Sequence, residues 1–203
     1  TSGDILRLYT EAGSTAMNVG TSGAGAWELD DTEVGRLSAT SSWEIGESGS
    51  QSGTITVQTV SLPAALQNVG VQIASDGGAG GAALDDAGAA TAFSTGGSGN
   101  ITILAGTGGV SANATDGNGE LSTTGTIEIT SAGAVGTSTN RISFPAGQDE
   151  VSVSTSAGGG DDVYLHGIGA LTLGVGGAAI DTGAGTDGTN VSVTTAAGNL
   201  TLS

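Results

Sequence analysis

The feature that most limits how this chain can fold is a short apolar–polar–apolar motif that returns along its length between runs of turn residues. It reads Leu6-Arg-Leu8, Met17-Asn-Val19, Trp27-Glu-Leu29, Trp43-Glu-Ile45 and Ile55-Thr-Val57 in the first third. It continues through Val69-Gly-Val71-Gln-Ile73, Ile101-Thr-Ile103, Ile127-Glu-Ile129, Ile142-Ser-Phe144 and Val151-Ser-Val153. It closes with Val163-Tyr-Leu165, Leu171-Thr-Leu173, Val191-Ser-Val193 and Leu200-Thr-Leu202. A period of two places alternate side chains on opposite faces of a strand, so each motif is a strand with one buried face. Gly, Asn, Ser and Asp between the motifs supply the turns. Strands this short do not hold a free-standing sheet and must stack on one another.

Direct repetition supports stacking. Glu150-Val-Ser-Val-Ser-Thr-Ser-Ala-Gly158 and Asn190-Val-Ser-Val-Thr-Thr-Ala-Ala-Gly198 agree at six of nine positions, 40 residues apart. With two motifs between them, the spacing predicts two turns of roughly 20 residues each, within the range of solenoid repeats. A second signature, Gly-x-apolar-Thr-apolar, occurs at Gly53–Val57, Gly99–Ile103, Gly169–Leu173 and Gly198–Leu202, with Glu128 in the Thr place of Gly125–Ile129. The reading is all-β: a parallel β-helix, a β-solenoid of roughly 20 residues per coil, forming a single unit over 1–203. Its narrow interior asks for small aliphatic side chains, which fits 39 glycines and an aromatic content of 3%. Roughly eight to ten coils at about 4.8 Å each predict a rod on the order of 40–50 Å long.

Three segments depart from the rhythm. Asp30 and Glu33 have capping-box spacing and predict one helical turn with Leu29, Val34 and Leu37 inward and Glu33 beside Arg36. Ser61-Leu-Pro-Ala-Ala-Leu66 reads as a second such turn, with Pro63 at its start. The stretch 74–99, with its Gly77-Gly-Ala-Gly-Gly81 run, reads as a Gly-rich surface loop or an irregular coil.

Charge removes whole classes of function. Lys is absent, the three cations are Arg7, Arg36 and Arg141, and the net charge is −17. Such a chain repels nucleic acid and anionic lipid surfaces. No run of apolar residues is long enough to span a bilayer as a helix. Without Cys there is neither a disulfide framework nor a thiolate metal site. Without Lys there is no Schiff base, P-loop or Lys–Asn isopeptide staple. The chain starts at Thr1 without a signal-peptide pattern, and Gly198–Ser203 reads as a strand cut short. The expectation is a mature or excised piece of a longer secreted protein.

The run Gly25-Ala-Trp-Glu-Leu-Asp-Asp-Thr-Glu-Val-Gly-Arg-Leu-Ser-Ala39, then Trp43-Glu-Ile-Gly46 and Ser52-Gly-Thr-Ile-Thr-Val57, resembles a module of very large bacterial exoproteins, the filamentous-haemagglutinin-like adhesins. Gly125-Thr-Ile-Glu-Ile-Thr-Ser-Ala-Gly-Ala-Val-Gly136 and Ala170-Leu-Thr-Leu-Gly174 are similar to the coil repeats of that family. The likeness covers most of the chain outside 74–99. It implies a right-handed parallel β-helix, export to the cell surface, and roles in adhesion or biofilm. It implies no catalytic residues, and the family's amino-terminal secretion domain with its Asn-Pro motifs is not seen, which makes this an internal repeat region.

Sites of chemistry are few. His166 lies in Asp161-Asp-Val-Tyr-Leu-His166, but no Gly-x-Ser-x-Gly elbow accompanies it, and alternation puts Tyr164 and His166 together on the solvent face. Gly183-Ala-Gly-Thr-Asp-Gly188 matches the dinucleotide fingerprint in letters, but a strand follows where a helix is required, so it reads as a corner. Gly158-Gly-Gly-Asp-Asp-Val-Tyr-Leu165 resembles one copy of a calcium-binding nonapeptide roll, which works only in tandem; Asp161 and Asp162 are the residues nearest to a calcium site. The acidic groups Asp30/Asp31/Glu33, Asp85/Asp86, Asp149/Glu150 and Asp161/Asp162 read as solvated faces. Polysaccharide lyases need bases that are nearly absent here, and hydrolases need paired acids beside aromatic platforms. Thr54 and Thr56 start no regular ice-binding array, and the sequons at Asn100, Asn113, Asn190 and Asn199 follow from a Ser/Thr-rich composition. No catalytic, cofactor or metal residue is therefore assigned. The expectation is a non-catalytic, adhesive shaft segment on the bacterial cell surface or in its matrix. Its partners are adjacent coils or further copies end to end, then host or cell-surface glycans and proteins. The alternatives are a repeat subunit of an extracellular filament and a phage tail-fibre segment.

Overall fold

The computed structural model describes residues 4–20, 27–88, 91–155, 161–174, 179–183 and 189–203. Among them the chain is all-β with parallel sheets, and its single helix, α1 (Asp31–Val34), is one turn long. The largest sheet runs β1 (Ile5–Leu8), β4 (Ser42–Gly46), β7 (Gly70–Ser75), β10 (Ile101–Ala105), β13 (Ile127–Ser131), β15 (Gln148–Ser154), β17 (Leu171–Leu173) and β20 (Leu200–Leu202), with β18 (Ile180–Asp181) also on β15. A second sheet orders β11 (Gly109–Ala112), β8 (Gly81–Asp85), β5 (Ile55–Gln58), β2 (Met17–Gly20) and β3 (Trp27–Leu29). A third joins β12 (Leu121–Ser122), β9 (Phe93–Ser94) and β6 (Val60–Ser61), and a fourth β14 (Ile142–Phe144), β16 (Val163–Gly167) and β19 (Val191–Thr195). Val135 bridges Val110 on one side and Val163 on the other, linking the second sheet to the fourth. From β4 to β12 the chain visits the first, second and third sheets in the same order three times over.

Register turns the sequence motif into columns. Trp43, Val71, Ile101, Ile127 and Val151 pair in succession, as do Ile45, Ile73, Ile103, Ile129 and Val153. All ten side chains are buried. Each fully buried aliphatic side chain is worth about 1.5–3 kcal/mol, so the columns supply the main stabilisation. The Trp43 ring of the first sheet and the Phe93 ring of the third meet at 6.3 Å between centroids with a 38° tilt. The polar residues between the column members point away from the core.

Where the sheet order repeats, residues paired in successive strands of the first sheet lie 28 and 30 positions apart (Trp43–Val71 and Val71–Ile101), more than the 20 residues expected for a coil. Hydrogen bonds between successive rounds mostly span 23 to 30 positions, and the first round spans 37. The reason is that one round carries motifs of more than one sheet. The 40-residue repeat misleads for the same reason: Val151-Ser-Val153 lies in β15 of the first sheet, whereas Val191-Ser-Val193 lies in β19 of the fourth. The stretch 74–99, expected as a surface loop or irregular coil, holds the end of β7 and all of β8 and β9. β8 pairs on both sides, with β5 and β11, and buries Ala82 and Leu84. At Gly81 the neighbouring backbone leaves little room for a side chain, a Cβ there standing 2.9 Å from Gly109 O.

The irregular turns follow local chemistry. Asp30 caps α1, accepting from Glu33 N at 2.8 Å while Glu33 Oε2 accepts from Asp30 N, and Val34 is buried. Ser61–Leu66 forms tight turns instead of helix, with Leu66 N donating to Pro63 O, and still buries Leu62 and Leu66. Elsewhere buried Ser, Thr and Gln side chains serve glycine carbonyls: Ser75 Oγ donates to Gly53 O, Thr123 Oγ1 to Gly99 O, Ser131 Oγ to Gly133 O and Gln51 Nε2 to Gly53 O. Backbone groups that leave the ladders at corners thus keep partners, as burial requires.

Gly46 and Gly49 separate two roles of glycine within one turn. Both have positive φ, +81° and +77°. A Cβ on Gly46 would stand 2.1 Å from Ala74 O and 2.6 Å from Ile55 Cδ1, whereas one on Gly49 would meet nothing within 4 Å. Gly46→Ala should therefore cost about 3 kcal/mol or more in urea unfolding, from clash added to strain. Gly49→Ala should cost only about 1 kcal/mol, the left-handed backbone penalty alone.

Candidate functional site

Two faces and one corner gather polar side chains. Along the outside of the first sheet, register lines up Arg7, Glu44, Gln72, Thr102, Glu128 and Ser152. Arg7 Nε donates to Glu44 Oε2, and this bond holds the guanidinium above its ordinary value. Two adjoining shallow cavities share Glu44 and Gln72. One, of about 470 Å³, extends to Tyr9 and Glu47; the other, of about 250 Å³, extends to Asn100 and Thr102. An open row of planar amides, carboxylates and hydroxyls can exchange hydrogen bonds with a polar ligand lying along it.

The second face is the outside of the fourth sheet, where sequence reading placed its only histidine. Val163 and Leu165 are buried, and Tyr164 and His166 lie on the opposite side. Asp162 accepts from Asn190 N at 2.8 Å, from Asn190 Nδ2 at 3.2 Å and from Tyr164 Oη at 3.1 Å. The Asn190 bonds, then that of Tyr164, hold this carboxyl below the usual carboxylate range, and the Tyr164 phenol is raised in return. Arg141 lies over the Tyr164 ring, 5.5 Å from its centroid, and donates from Nη1 to Ser192 O and Ser192 Oγ, both at 3.0 Å. It reaches across β16, from the start of β14 to β19. His166 Nδ1 is 2.9 Å from Thr194 Oγ1. Burial, then the charge of Arg141, push this imidazole below its ordinary value.

These bonds show what the sequence-derived candidates do. Asp162 is engaged by Asn190 and Tyr164 and not by His166, so the Asp–His alignment of a triad is not formed there. Glycines 158–160 of the calcium-like motif and 184–188 of the dinucleotide-like motif lie outside the described residues, as do Gly25 and Ala26. Gly183 occupies a turn with φ +69°. Among the described residues no three His, Asp or Glu side chains gather as a metal-binding group. The amide nitrogens of two sequons are already in use, Asn113 Nδ2 on Asp85 and Asp86, and Asn190 Nδ2 on Asp162.

The corner was not legible. Asp86, expected as a solvated acid, is 0% exposed, and so are Glu120 and Ser143 on the next two rounds. Asp86 Oδ1 accepts from Gly88 N and Asn113 Nδ2, while Glu120 Oε2 accepts from Ser143 N. Asp86 Oδ2, Glu120 Oε1 and Ser143 Oγ have no partner. Alternation gives no warning of this: Glu120 precedes the short β12, and a loop precedes that. The other acidic groups, Asp30/Asp31/Glu33 and Asp149/Glu150, are exposed as expected.

Replacing Arg141 by Gln should raise the His166 pKa towards its ordinary value, because one of two depressing influences is removed while burial remains. A histidine side-chain NMR titration of both proteins measures it. Compared with family models, curated proteins and solved structures, the chain matches none.

Proposed function

We propose that the chain is a segment of right-handed parallel β-helix that serves as a non-catalytic, adhesive shaft in a large extracellular bacterial surface protein. The observation that carries this reading is the sheet order repeated from β4 to β12: successive stretches of one chain add strand after strand in parallel register, and the first-sheet strands from β4 to β15 bury the same columns. Such growth makes a body whose length increases with each round and whose stiffness comes from backbone bonds along its axis. The eight strands on the main path of the first sheet, at about 4.8 Å each, correspond to a rod on the order of 35 Å. That is shorter than the sequence period suggested, because each round consumes more chain.

The outer faces suit this role. They are polar and acidic, which keeps a Gly- and Ala-rich fold soluble. The groove beside Glu44 and Gln72 offers hydrogen-bonding side chains to a passing glycan or protein.

Electron microscopy and small-angle scattering of the purified chain test the reading. Discrete particles of about 35 Å along the axis, with no hydrolysis or elimination across a polysaccharide panel, are the expected result. Turnover of a polysaccharide would overturn it. Filaments of indefinite length would favour the repeat subunit of an extracellular fibre, and stable trimers the phage-fibre segment.

A further inference from the structure

We infer that Glu120 is held as the neutral acid in the folded chain, and that losing its proton loosens the corner between β8 and β12. Both carboxyls are 0% exposed, on adjacent rounds, with one oxygen of each lacking any donor. The charge of Asp86 acts on Glu120 and opposes its ionisation. A cation could offset an ionised Glu120 there, but none of the charged groups on the surrounding elements provides one. The Arg141 guanidinium, just before β14, is turned to Ser192. Asp85, beside Asp86, accepts from Gln58 Nε2 and Asn113 Nδ2, and Asp116, between β11 and β12, accepts from Asn118 N. Both bring further negative charge. The donors at the corner itself, Gly88 N, Asn113 Nδ2 and Ser143 N, reach only the other oxygen of each carboxyl.

One proton changes this balance. It removes one of the two like charges and turns an acceptor without a donor into a donor. Glu120 is the carboxyl that keeps it: burial, with the Asp86 charge adding to it, pushes this group up to about 7 against the Ser143 N–H bond. A calcium ion would neutralise the same corner, but calcium takes about six to eight oxygens, and among the described residues no three acidic side chains gather as a metal-binding group. The direction of the pH effect follows. The unfolded chain releases this proton near 4.5, whereas the folded chain keeps it to about 7. The stabilisation is complete below about 4.5, is lost as pH rises towards 7 and is absent above.

The surface carboxylates, which give most of the net charge of −17, also shape the pH profile, so the test compares proteins. Carbon-13 NMR of glutamate carboxyls in the intact chain should show one titrating near 7 and missing from Glu120→Gln. In Asp86→Asn the same resonance should titrate lower, because the like charge is gone. Thermal melting of Glu120→Gln should exceed wild type at pH 8, and the gap should shrink at pH 5. A Glu120 midpoint in the ordinary carboxylate range would overturn the inference. So would equal pH dependence of the two proteins, or calcium raising the melting temperature of wild type at pH 8 but not of Glu120→Gln, which would make the corner a cation site.

Discussion

Backbone hydrogen bonds between stretches of chain one round apart are what the rest of this structure depends on. Individual strands have two to seven residues and could not persist alone. Each becomes stable because the round before and the round after present matching carbonyls and amides. Parallel pairing in constant register then places like side chains above like, which is how a sparse supply of Val, Ile and Leu becomes continuous columns. The same constraint accounts for the corners. Rounds pass so close at Gly46 that a methyl group does not fit, and the carbonyls freed there are answered by buried Ser, Thr and Gln. Richness in Gly, Ser and Thr is a structural requirement here and no sign of a disordered linker.

The sequence exposed the strands much better than their connections. Nearly every apolar–polar–apolar motif is a strand with the expected face inward, because alternation reports burial directly. The helical turn at Asp30 was equally legible, since capping is a local contract between residues three apart. Period and connectivity were harder. Ile55-Thr-Val57 and Val69-Gly-Val71-Gln-Ile73 look like successive copies of one element but belong to different sheets, and nothing within either says so. Gly81–Asp85 lacked bulky residues and so looked like a loop, although its neighbours on both sides make it a strand. Asp86 was misread because its burial is imposed by chain far away in sequence.

The polar features fall into two kinds with different consequences. Side chains on the outside of the first sheet are arranged by register into an open row, available to whatever lies alongside. Those at Arg141, Tyr164 and Asp162 are bound to each other and to the next round, so their chemistry is spent on cohesion. Composition alone did not separate these two uses. A lone histidine and a pair of aspartates looked like candidate chemistry, yet the structure makes Asp162 and His166 parts of a ladder between rounds.

The scarcity of cations has one more effect. Among the described residues Arg7–Glu44 is the one ion pair, against a net charge of −17. Dissolved electrolyte therefore has almost no attraction to weaken and a great deal of self-repulsion to shield, with a range of about 10 Å at 0.1 M. A body built this way gains firmness in brine, where proteins that rely on surface ion pairs begin to lose theirs.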